Sequence, residues 1–153
     1  MEEEKRKRYQ LLREINRKKI RESKWKDDIL FKECIESLDK FNILSLEESQ
    51  RIINIMENSF PITPWGSIDW KKFNKGIKLS NKMELLQLLN EKDLFYILWD
   101  KQEIPCIICK LSAILKCIDD VLAVSFNTWL LSMDGKEIVE FYHEGAITYG
   151  KLK

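Results

Sequence analysis

Apolar residues recur at three- and four-residue steps through the first half of the chain and change to short continuous or alternating runs in the second. From Asp27 onward, Leu30, Cys34 and Leu38 with Phe31 and Ile35 make one buried helical face. Ser45 followed by Glu48 has the spacing of a capping box, and Ile52, Ile53, Met56 and Phe60 set the stripe of a second helix that Pro61 and Pro64 stop. Two tryptophans around a glycine in Pro64–Trp70 predict an ordered, packed connection. Asn81 and Glu84 open a third helix running to Asn90, with Leu85, Leu86 and Leu89 on its apolar face.

Beyond Asp93 the pattern becomes that of strands. Leu94–Trp99 is a short aromatic-rich apolar run suited to a central strand, and Pro105–Cys109 suggests another. Between them and the C-terminal third, Leu111, Ile114, Leu115 and Ile118 predict a short helix ending at Asp119-Asp120. Val121–Ser132 and Lys136–His143 read as strands joined across Asp134-Gly135, a dipeptide suited to a type I′ turn. That turn pairs Leu130 with Val139, Thr128 with Phe141 and Trp129 with Glu140. A second tight turn at Glu144-Gly145 predicts a third strand over Ala146–Gly150. With that register Phe126, Leu130, Val139 and Phe141 share one face, and Trp129, Leu131, Ile138, Tyr142, Ile147 and Tyr149 share the other. Both faces are apolar, so either helices cover both or one meets a partner. The fold class is α+β, with N-terminal helices packed on a mostly antiparallel C-terminal sheet.

At 153 residues the chain is long enough to bury a core without disulfide or metal staples. Its 44% hydrophobic and 33% charged content excludes a disordered or membrane-embedded chain, and the longest apolar runs fall well short of a membrane span. A cytoplasmic location with reduced thiols is the expectation. The net charge of +1 conceals an asymmetry: residues 1–26 hold 11 Lys/Arg against 5 Asp/Glu, and the remainder holds 15 against 20. Residues 1–26 therefore read as a basic leader, helical or disordered, and residues 27–153 as a single acidic domain. An acidic surface favours a basic partner and disfavours nucleic acid, although the leader could serve as an RNA-binding arm.

Few residues suggest chemistry. Cys106-Ile-Ile-Cys109 has redox-pair spacing, but no proline follows Pro105 to supply the cis-proline that redox folds place beside the pair, and residues three apart on a strand point to opposite faces, which opposes joint zinc ligation with Cys117 or His143. Neither a metal nor a cofactor is expected. His143 is the single histidine, and with Glu140 or Glu144 it could form the general-base pair of a small hydrolase or nuclease; no phosphate loop or nucleophile motif completes such a site. Asp119 and Asp120 at a helix C-terminus would oppose the helix dipole, which makes them a candidate acidic patch for a basic partner. Most tryptophans should be core. Trp129 beside Glu140 is the expected exception, an aromatic and a carboxylate of the kind that anchors an interface.

Four stretches together, Phe60–Trp70, Tyr96–Asp100, Ile118–Trp129 and Val139–Gly150, resemble immunity proteins of contact-dependent growth inhibition and related polymorphic toxin systems. The resemblance spans about residues 28–150 and leaves out the basic leader. It implies a non-enzymatic cytoplasmic protein that binds and neutralises the C-terminal domain of one cognate toxin, and toxin nucleases of such systems are often basic. It carries over no catalytic residue. The contact residues expected from the acidic and aromatic positions are Asp119, Asp120, Trp129, Glu140 and Glu144.

Overall fold

The computed structural model describes residues 2–153, and of residues 16–24 the backbone only. The α+β expectation holds: seven strands form one antiparallel sheet in the order β1-β4-β3-β5-β6-β7-β2, with helices on both faces. The strands are β1 (Asn42–Ile43), β2 (Ile77–Leu79), β3 (Leu94–Trp99), β4 (Ile107–Lys110), β5 (Thr128–Ser132), β6 (Glu137–Phe141) and β7 (Ile147–Lys151). The two shortest, β1 and β2, lie at the edges and have no periodicity long enough to be read from sequence.

Alternation along each central strand feeds two cores. Phe95, Ile97, Trp99, Leu130, Val139, Phe141 and Tyr149 face one side. There they meet α2 (Ile29–Ser37), α5 (Leu85–Leu88), α6 (Leu111–Lys116) and α7 (Ile118–Leu122). Leu98, Trp129, Leu131 and Ile138 face the other side, under α3 (Leu46–Ser59) and the segment leading into α4 (Trp70–Phe73). Both apolar faces are thus covered from within the chain.

The helix ends follow local chemistry. Asp28 caps α2 by accepting from Phe31 N at 2.9 Å, and Ser45 caps α3 by accepting from Glu48 N at 3.1 Å. The Glu48 carboxylate accepts a hydrogen bond from Ser45 Oγ at 3.1 Å, a tighter local loop than the capping box predicts. Asn81 Oδ1 accepts from Met83 N, opening a 3-10 turn that runs into α5. Helix α1 (Glu2–Lys24) places three glutamates in its first turn, where the dipole favours them, and exposes its described side chains.

The C-terminal meander confirms one predicted register and corrects the other. Leu130 pairs with Val139, Thr128 with Phe141 and Trp129 with Glu140, as expected. The turn is not type I′, because only Gly135 has a positive φ, of 74°, and Asp134 instead accepts from Ser132 Oγ and Lys136 N. Between β6 and β7, Tyr142 N donates to Ala146 O, so the connection holds three residues, His143, Glu144 and Gly145. The added residue shifts the pairing to Val139 with Tyr149 and Phe141 with Ile147. A one-residue change of register exchanges faces, so Ile147 and Tyr149 join Val139 and not Trp129.

The predicted strand from Val121 also starts late. Val121 and Leu122 belong to α7, residues 123–127 form a loop, and Phe126 lies in that loop outside the sheet.

Candidate functional site

Asp119 and Asp120 begin a helix where the sequence suggested that one ends. Helix α6 stops at Lys116, Cys117 breaks it, and both carboxylates fall in the first turn of α7. The expected conflict with the helix dipole becomes a favourable arrangement. Asp120 Oδ2 accepts from Ser37 Oγ at 2.7 Å, tying α7 to the end of α2, and Asp119 is exposed. With Asp39 they line an open cavity of about 640 Å³ that Lys82 and Lys116 share.

Trp129 and Glu140 are a different case. Each is 4% exposed, and the carboxylate is enclosed by three N–H donors. Glu140 Oε2 accepts from Ile68 N at 2.7 Å and from Trp129 Nε1 at 2.9 Å, while Oε1 accepts from Trp70 Nε1 at 2.9 Å. The two residues clamp the Pro61–Trp70 segment onto the sheet from inside, and at 4% exposed neither stands out as the surface anchor expected from the sequence. The exposed tryptophan is Trp65, 71% exposed beside Gly66, whose φ of 93° turns the loop. Nothing in the pattern of the Pro64–Trp70 stretch distinguished it from Trp70.

Glu144 and His143 lie exposed in the β6–β7 loop, away from the α7 carboxylates in the chain and on a different element. The His143 ring lies 3.2 Å from Asn127 Oδ1 through Nδ1, and the same oxygen accepts the His143 backbone N–H at 2.9 Å. Both Glu140 oxygens are already engaged, and His143 makes no hydrogen bond to Glu144 among the described residues. The pair required by the hydrolase reading is not assembled.

The thiols are divided by the sheet. Cys106 packs in the core under α3, whereas Cys34 and Cys109 pack in the other, with the half-buried Cys117 against them. Burial pushes the Cys34 and Cys106 thiols up to about 12. Among the described residues, no group of three or more His, Cys, Asp or Glu side chains is placed to hold a metal ion.

A sequence model described as CdiI immunity protein, EcoliA0-like, matches residues 28–150. The chain belongs to this CdiI immunity protein family. Within the CdiI-family chain the match begins at the Asp28 cap and ends at Gly150, one residue short of the end of β7, so it takes in α2 through α7, strands β1 to β6 and all but the last residue of β7. Helix α1 precedes it. No curated protein matches the chain significantly. The family is one of contact-dependent inhibition immunity proteins, inhibitors of toxins. None of the helices described for this CdiI-family chain is long and apolar enough to cross a membrane.

Sequence reasoning missed the other residues that this CdiI-family surface presents. Phe126 is 81% exposed, and it sits between Ser125 and Asn127, both hydrogen-bonded loop residues. A lone aromatic between two turn-forming residues was the available signal.

Proposed function

We propose that the protein binds the C-terminal toxin domain of its cognate contact-dependent inhibition system and neutralises it in the cytoplasm, with no catalysis of its own. The match to the CdiI immunity family over residues 28–150 is the observation that carries this reading. The geometry is compatible with it: the exposed carboxylates Asp119 and Glu144, with the half-buried Asp120, suit a basic toxin surface, a nuclease domain being one such partner. Opposite charge across the contact would raise the association rate and make it fall with salt.

The test is co-expression with the cognate toxin domain, scoring growth and the recovery of a complex. Rescue with a stable complex is expected. An active toxin that neither binds the protein nor is restrained by it would overturn the proposal.

A further inference from the structure

Phe126 is the most exposed large apolar side chain among the described residues, at 81%, and Trp65 is 71% exposed. Neither ring sits on a loose segment. Ser125 Oγ donates to Asn127 O at 2.7 Å and accepts from Asp100 N at 3.3 Å. The Asn127 side chain, on a residue only 6% exposed, holds His143. Phe126 stands edge-on to the His143 ring at 6.0 Å, and that ring is stacked at a tilt on Tyr142 at 4.2 Å. The Trp65 loop is closed by the Ile62–Ile68 bridge and by Thr63, whose carbonyl accepts from Gly66 N at 3.0 Å. Leaving such rings in water forgoes the burial that a core position would provide. Holding them in fixed positions lowers the ordering cost of binding.

Asp100 links the two aromatics. Its backbone N–H bonds the Phe126 loop, and with Gly66 it lines a cleft of about 250 Å³ floored by Met56, Leu98 and Trp129. The carboxylates around this end are Glu57 and Asp100 on the cleft and Glu144 beside His143. The cation lining the cleft, Lys101, is engaged by Asp28 at 2.6 Å. Exposed aromatics at an end of the sheet that also carries carboxylates suit a basic protein surface with an apolar socket. A two-fold contact with a second copy would set the same carboxylates against each other.

We infer that this end of the sheet, anchored by Phe126 and Trp65, is where the toxin domain docks, with Phe126 seated in an apolar socket on a basic face of the toxin. The inference rests on the reading that the protein binds a toxin. It places the centre of the contact on residues separate from the buried Trp129–Glu140 pair.

The experiment measures toxin affinity and growth protection for the full chain and for Phe126→Ala, Trp65→Ala and the double variant. Thermal melts check that the folds are equal, since both side chains are exposed. Phe126→Ala should weaken binding at least tenfold, and the double variant should lose protection at low expression. Wild-type binding with the double variant within twofold of it would overturn the inference and leave the toxin-binding reading standing. Absence of binding by the wild type to an active toxin would remove both. Sedimentation showing a wild-type dimer that Phe126→Ala dissociates would assign this end to self-association and overturn the inference.

Discussion

The indole of Trp129 donates its Nε1–H to Oε2 of Glu140 at 2.9 Å, across a directly paired position of β5 and β6. The same carboxylate receives Ile68 N and Trp70 Nε1, so a cross-strand pair in the sheet holds a segment some seventy residues earlier in the chain. Three N–H donors thus satisfy the hydrogen-bonding capacity of this buried carboxyl group.

Glu140→Leu should therefore be strongly destabilising. It orphans two buried donors, Ile68 N and Trp129 Nε1, each costing about 1–3 kcal/mol, and the part-buried Trp70 indole, for a total of at least about 2 kcal/mol in denaturant unfolding. Glu140→Gln retains one acceptor oxygen and should fall between the two. Stability of the leucine variant within about 0.5 kcal/mol of wild type would show that the clamp contributes little.

The Trp70 ring reaches Glu140 by lying over glycine. A Cβ on Gly150 would come within 2.8 Å of Trp70 Cζ3 and 2.9 Å of Phe73 Cε1. Gly150→Ala should cost about 1–3 kcal/mol through overpacking and should change the tryptophan fluorescence of the native state. An unchanged melting temperature would contradict the packing described.

Asp28 predicts an acid-sensitive contribution. Burial pushes its carboxyl up, but the hydrogen bond from Lys101 and the N–H of Phe31 outweigh that effect and hold it below the ordinary 3.8. Because the folded value is the lower one, the stabilisation is present above the ordinary value and lost as pH falls through the folded value. Asp28→Ala should cost about 1 kcal/mol at neutral pH as a lost cap. In urea titrations, its difference from wild type should narrow below pH 3.8; a difference independent of pH would refute the assignment.

Burial also predicts thiol inertness. With values near 12, Cys34 and Cys106 are ionised at pH 8 to on the order of one part in ten thousand. Iodoacetamide labelling of native protein, read by peptide mass spectrometry, should leave both unmodified on the timescale that labels urea-unfolded chain. Equal labelling rates in the two states would contradict the burial.

Local patterns carried much of the fold. The alternation in β5 and β6 and the position of Asp134-Gly135 are enough to pair Leu130 with Val139, since register there depends on residues close in sequence. The Ser45 and Asn81 caps and the separation of Cys106 from Cys109 were legible for the same reason. Where a single residue of loop length decides, the pattern failed: Ile147 and Tyr149 suit either face by composition, and the three-residue connection assigned them to the side of Val139. The break at Cys117 likewise turned Asp119 and Asp120 from the end of one helix into the start of another.

By itself, then, the sequence determined the α+β class, the helix caps, the β5–β6 pairing and a likeness to toxin immunity proteins, all properties of near neighbours or of the whole pattern. Tertiary structure decided which polar and aromatic groups are inside. Trp129 and Glu140 look like surface anchors until Ile68 and Trp70 arrive from far along the chain to complete their hydrogen bonds. Phe126 and Trp65 look like core until the loops that carry them are closed by other residues and leave the rings outside. Whether a side chain is buried depends on what packs over it, and that is settled by segments its own neighbours do not encode.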